Sequence, residues 1–212
     1  MPRRPKTNHH SSVELPMMIP VAASPQPASL RVPSKTAKAA FDKAAAAVEV
    51  HHAGDADPWS GSPYAWLKQI SSTRRFKAAE SVLESLLVGA GFAMTPRTTH
   101  GHAWIVEGSR VALKFSTLWN SGVYTFQQVL PGNFDVMVLF GVSPDAPHLW
   151  IAEKSALLAA VGSSATPWLT VDPATPPKVL DGRGGSVAEF YDATAQLIGS
   201  PSGVQYGPAR IS

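Results

Sequence analysis

The sequence predicts an α/β fold, a central mixed β-sheet flanked by helices, and three observations carry that prediction. Residues 101–128 (GHAWIVEGSRVALKFSTLWNSGVYTFQQ) alternate in polarity on both sides of Glu107-Gly108, the pattern of a two-residue β-hairpin. Residues 134–142 (FDVMVLFGV) form a continuous apolar run, as expected of a strand covered on both faces. Ala79, Val82, Leu83, Leu86 and Leu87 recur at helical spacing and define the buried stripe of a long helix.

Bulk properties set the bounds. A chain of 212 residues suits one domain with tails, and 44% hydrophobic with 16% charged residues argues for a folded, soluble protein. The net charge of +3 permits nucleic-acid binding without requiring it. With no cysteine, disulfides and thiolate zinc sites are excluded, so any metal must be held by oxygen or imidazole. No apolar run reaches the length of a membrane span, and an intracellular, cytoplasmic protein with no membrane partner is the simplest expectation.

In chain order, residues 1–34 read as a flexible Pro-rich tail with Arg3, Arg4 and Lys6 at its start. Residues 35–62 comprise an Ala-rich helix (35–52) with a thin apolar face and a breaker-rich linker. The main α/β domain spans 63–198, and 199–212 form a C-terminal tail. Within the domain, 63–92 predict a short helix, a basic turn at Arg74-Arg75, and the long helix ended by Gly91. Glu80 and Glu84 are four apart and share a more polar face of that helix.

The hairpin follows. A loop at Glu107-Gly108 pairs Val106 with Ser109, Ile105 with Arg110, Trp104 with Val111, and Ala103 with Ala112. Alternation then places Ala103, Ala112 and Lys114 on one face, with Trp104, Val111, Leu113 and Phe115 on the other. Beyond it come a polar turn, a helical turn over 124–129 bearing Gln127 and Gln128, and the apolar strand stopped by Ser143-Pro144. A strand at 148–152, a helix at 153–161 and a Pro-limited loop region at 162–185 come next. The domain closes on an amphipathic helix at 186–198, where Ser186 and Glu189 form a capping-box pattern.

The chemistry legible here is a lone lysine beside two alanines. His9, His10, His51, His52, His100, His102 and His148 are scattered, without the spacing of a His-based metal enzyme. An Asp on one strand followed by Glu-x-Lys on the next is the pattern of the PD-(D/E)xK nucleases, which include many type II restriction endonucleases. The chain resembles that family over residues 63–198: Ala103 stands at the Asp position, Ala112 at the Glu position, and Lys114 matches. The ordered run of KFSTLW, YTFQQ and NFDVMVLFGVSPDAPHLWI is similar to the family's catalytic strand, Gln-bearing helix and later strands.

That resemblance implies a Mg²⁺-dependent, sequence-specific endonuclease acting on double-stranded DNA as a homodimer, with a cognate DNA methyltransferase in the same system. It implies that positions 103 and 112 would carry the metal-binding carboxylates, that Lys114 meets the phosphate, and that Glu80 is an outer metal or water ligand. Gln127 and Gln128 would hold a water or phosphate, and His100 or His102 would contact the scissile phosphate. Candidate DNA contacts are Arg74, Arg75, Arg97, Arg183, Ser116, Thr117 and Trp119. Alanine offers no oxygen to a metal, and loss of one electrostatic partner costs roughly 10²-fold or more in rate. The chain as it stands is therefore expected to be inactive, whether by deliberate replacement or as a naturally degenerate DNA-binding protein or subunit.

Overall fold

In a computed structural model, residues 34–46, 57–95, 104–162 and 166–203 are described. Of the expected tail at 1–34, all but Ser34, which starts the first helix, lies outside them, as do Arg97, His100, His102 and Ala103. The elements run α1 (Ser34–Ala45), α2 (Trp66–Gln69), α3 (Ser72–Gly89), β1 (Met94–Thr95), β2 (Trp104–Val106), β3 (Ser109–Thr117), β4 (Tyr124–Phe126), β5 (Val136–Val142), β6 (Pro147–Glu153), α4 (Lys154–Val161), β7 (Leu169–Val171), β8 (Gly184–Gly185) and α5 (Val187–Ile198). Six strands form a mixed sheet in the order β1-β2-β3-β5-β6-β8, and β4 pairs with β7 in a separate two-stranded ribbon.

The hairpin has the expected register: Trp104 faces Val111, Ile105 faces Arg110 and Val106 faces Ser109. Both turn residues take positive φ, Glu107 at 46° and Gly108 at 82°, which matches the right-handed twist of the flanking strands. β3 then pairs in parallel with β5 over seven positions, from Val111–Val136 to Thr117–Val142. A bidentate ion pair fixes the start of this ladder. Arg110 donates its backbone N–H and Nε to Asp135 Oδ2, both at 2.9 Å, and its Nη2 to Oδ1 at 2.5 Å.

Two cores lie on opposite faces of the sheet. Trp104, Val111 and Leu113 face α1, α3 and α5, whereas Ala112, Met137, Leu139 and Trp150 face β4, β7 and Leu157 of α4. This is the alternation the hairpin predicts, and it explains why every residue of β5 is buried. On the helical side, α3 buries Ala79, Val82, Leu83, Leu86 and Leu87, the stripe read from the sequence. Gly91 at φ 85° lets Phe92 N–H reach back to Leu87 C=O and stop the helix. α5 begins with the expected capping box, and Tyr191 Oη donates to Leu86 C=O at 3.1 Å, tying α5 to α3. α1 packs on the domain: Phe41 is buried edge-on against Tyr64 and Phe140.

Four local expectations need correction. Residues 124–126 are a strand, not a helical turn, because Tyr124 and Phe126 bury alternate side chains while pairing with Val171 and Leu169. Arg74 and Arg75 sit in the first turn of α3 rather than in a turn before it, since Ser71 caps the helix by accepting from Arg74 N–H at 3.4 Å. Thr95 and Met94 form an extra strand against β2. Residues 162–185, read as loop, include β7, a 3₁₀ turn at Lys178–Leu180, and β8. The Gly184-Gly185 pair makes β8 feasible, since a Cβ at Gly184 would lie 2.2 Å from Leu149 O.

Gly141 in β5 is also indispensable, because a Cβ there would meet the ring of Tyr124 at 2.7 Å. Tyr124 in turn hydrogen-bonds His148 Nδ1 through its hydroxyl at 2.7 Å. Gly141→Ala is expected to lower unfolding free energy by about 1–3 kcal/mol through overpacking, measured by urea denaturation. Burial holds the His148 pKa below its ordinary value, so folding favours the neutral ring. Stability should therefore be complete above the ordinary histidine range and fall as pH drops from there toward the depressed folded value. Thermal melts across that interval should show the loss in the native chain and a flatter profile in His148→Gln.

Candidate functional site

The outer half of β3 is where the sequence candidates converge. Among the described residues β2 pairs with β3 only up to Val111, so the same edge of β3 from Ala112 to Thr117 has no strand partner. There the N-terminal turn of α3, the end of β3 and the exit of β4 enclose a cavity of about 470 Å³. Arg75, Lys114, Ser116, Trp119, Gln127 and Gln128 contribute to its wall, which contains no acidic side chain among the described residues.

Its electrostatics are one-sided. Lys114 is half-buried, and desolvation lowers its pKa from the ordinary lysine value; no salt bridge offsets that cost among the described residues. Arg75 is partly buried, and its Nε is enclosed without a hydrogen-bond partner among the described residues. Both arginines occupy the first turn of α3, which contains no acid. Cations are disfavoured at a helix N-terminus, where exposed N–H groups already present partial positive charge. Two cationic side chains and a helix N-terminus thus face one cavity. An anion would relieve all three.

The uncharged members have defined places. Ser116, 6% exposed, uses its hydroxyl structurally: it donates to Thr117 C=O and accepts from Thr125 N–H, both at 3.2 Å. Thr117 is buried beside it, so these two belong to the end of β3 and form the floor rather than an exposed DNA-facing turn. Trp119 is 50% exposed, raised on a turn in which Gly122 N–H donates to its carbonyl. Gln127 and Gln128 leave β4 as exposed residues, and Gln128 holds a positive φ of 55°. Such a conformation in a residue other than glycine is costly and concentrates at functional positions.

Other candidates fall elsewhere. Ala112 shares a face with Lys114 two residues away, but it is 9% exposed and packs in the second core rather than in the cavity wall. Glu80 lies one helical turn beyond Phe76, which does line the cavity, and is outside the wall itself. Arg74 is exposed beside the entrance, whereas Arg183 lies next to β8 at the far edge of the sheet. The remaining nearby acids have structural partners: Glu84 accepts from Trp104 Nε1 at 2.7 Å, and Asp135 is paired with Arg110. Glu107 accepts from Ala93 N–H at 2.7 Å and Ser202 N–H at 3.0 Å.

These residues do not fit a Mg²⁺ site. Alanine at 103 and 112 offers no ligand, and no group of three or more His, Asp or Glu side chains suited to a metal occurs among the described residues. No helix among them is long and apolar enough to cross a membrane. Sequence reasoning did not single out Thr125, Phe76 or Ser72 as lining residues, because their approach to Lys114 depends on how α3 and β4 pack. The chain matches no family model, no curated protein and no solved structure.

Lys114→Met should separate stability from binding. Removing a half-desolvated charge is expected to raise the unfolding free energy by a small amount, about 1 kcal/mol or less because part of the side chain remains solvated. The same change should weaken anion binding, seen by titrating both proteins with sulfate and following thermal shift.

Proposed function

We propose that this chain is the catalytically inactive form of a restriction-type endonuclease, with the restriction endonuclease-like fold, and that it binds duplex DNA without cutting it. The observation that supports this reading is the cavity beside the outer half of β3, where Lys114 and Arg75 face the same space with no carboxylate in the wall among the described residues. Phosphodiester hydrolysis by Mg²⁺ requires oxygen ligands that position the metal against a phosphate, together with a cation near the developing charge. Lys114 and the hairpin register supply the second requirement. Positions 103 and 112 are those at which acids would supply the first.

In its active form the protein would act as a homodimer on a specific duplex sequence in the cytoplasm, alongside a methyltransferase that protects the host DNA. Arg74 and Arg75 would contact phosphates, and Trp119, Gln127 and Gln128 would approach the nucleotides. The burial of Ala112 among Met137 and Ala152 favours a second reading, a naturally degenerate DNA-binding protein in which alanine has been absorbed into the core.

One paired experiment tests both. The chain and its Ala103→Asp, Ala112→Glu variant are incubated with a mixed-sequence plasmid and Mg²⁺, while duplex binding is followed by fluorescence anisotropy over a range of salt. Discrete fragments from the restored variant alone, formed at least roughly 10²-fold faster than by the parent, are expected. Salt-dependent binding with no cleavage by a folded restored variant would favour the degenerate protein. Absence of duplex binding by either would remove the nucleic-acid reading altogether.

A further inference from the structure

The cavity carries more than a phosphate requires. A bare phosphate needs cations and hydrogen-bond donors, which Lys114, Arg75 and the Ser72 hydroxyl at the start of α3 can provide. It has no use for a half-exposed indole or for two exposed carboxamides, one held at a positive φ. An aromatic face can stack on a heterocyclic base, and each carboxamide offers a donor and an acceptor to a base edge. The enclosed volume of about 470 Å³ is within the range of sites that bury a small molecule.

We infer that this cavity is a nucleotide site, taking one nucleoside monophosphate unit of a bound DNA strand with its phosphate toward Lys114 and Arg75 and its base against Trp119. Gln127 and Gln128 meet the edge of that base. A nucleotide inside a stacked duplex cannot present its face to an indole, so occupancy requires the unit to turn out of the stack or to belong to an unpaired segment. Reading the base in this way is a specificity device separate from hydrolysis, and it rests on the DNA-binding reading given above. Ser116 and Thr117, both buried, form the floor beneath that unit.

The test uses the full chain and three defined probes: deoxyguanosine 5′-monophosphate, 2-deoxyribose 5-phosphate and inorganic phosphate, titrated by calorimetry. The nucleotide is expected to bind about tenfold more tightly than either base-free probe, the scale of one base–aromatic stack. Trp119→Ala should abolish that preference while leaving phosphate affinity in place, and Trp119→Phe should restore most of it. Because Trp119 is half-exposed, the alanine variant is expected to fold. A mixed-sequence single strand should displace the nucleotide competitively.

Equal binding of all three probes would overturn the inference, leaving a phosphate site and an intact DNA-binding proposal. A preference for the nucleotide that survives Trp119→Ala would overturn it too. Simultaneous binding of the strand and the nucleotide would show that the cavity serves a free nucleotide, not one in a strand. Duplex binding measured separately decides whether the broader reading stands, so failure of one is distinguishable from failure of the other.

Discussion

The parallel pairing of β3 with β5 is the constraint on which the rest of the structure depends. Parallel neighbours cannot be joined by a tight turn, so the chain must leave the sheet after Thr117 and return before Val136. The segment that makes this crossing builds β4, raises Trp119 and delivers Gln127 and Gln128. It also covers the face carrying Ala112, so the second core is a direct product of the crossover. The Arg110–Asp135 pair fixes where the ladder begins, and with it the height at which Lys114 stands relative to the crossover.

The acids and the cations have been treated differently by the fold. Glu84, Glu107 and Asp135 each hold a defined partner, and all three consolidate packing or register. The Asp135 carboxyl is held at about 2 by Arg110, well below the usual carboxylate range. Among the described residues, Lys114 and the Arg75 Nε have no such compensation. A protein interior ordinarily avoids leaving a half-desolvated cation beside an enclosed donor. Retaining both at one cavity costs stability, a cost that a bound anion would offset.

Local patterns made much of the architecture readable. The hairpin register followed from the two-residue loop, the burial of β5 from its unbroken apolar run, and the α3 stripe from helical spacing. The capping box at Ser186 was visible because its interactions span three residues. What could not be read was non-local. Tyr124–Phe126 has few residues and no turn signal of its own, and becomes a strand only because Leu169–Val171 arrives to pair with it. Met94–Thr95 likewise depends on β2. The grouping of Arg75 with Lys114 and Trp119 was partly foreseeable as a set of candidates, but their common cavity arises where the start of α3 meets the end of β3 and the exit of β4, far apart in sequence. Ala112 was placed on the correct face; its enclosure by the crossover was not visible from alternation alone.

The Glu107 carboxylate has a wider consequence than its place at a hairpin tip suggests. By bridging Ala93 N–H and Ser202 N–H it closes a loop of 95 residues between itself and the last described segment. A chain without cysteine has no disulfide with which to make such a closure. Two charge-assisted hydrogen bonds act as a clasp instead, and unlike a covalent crosslink the clasp opens without chemistry. Tension on the segment after α5 would reach the tip of the β2–β3 hairpin directly, bypassing the sheet. The segment just after α5 and the hairpin whose second strand carries Lys114 are therefore mechanically joined.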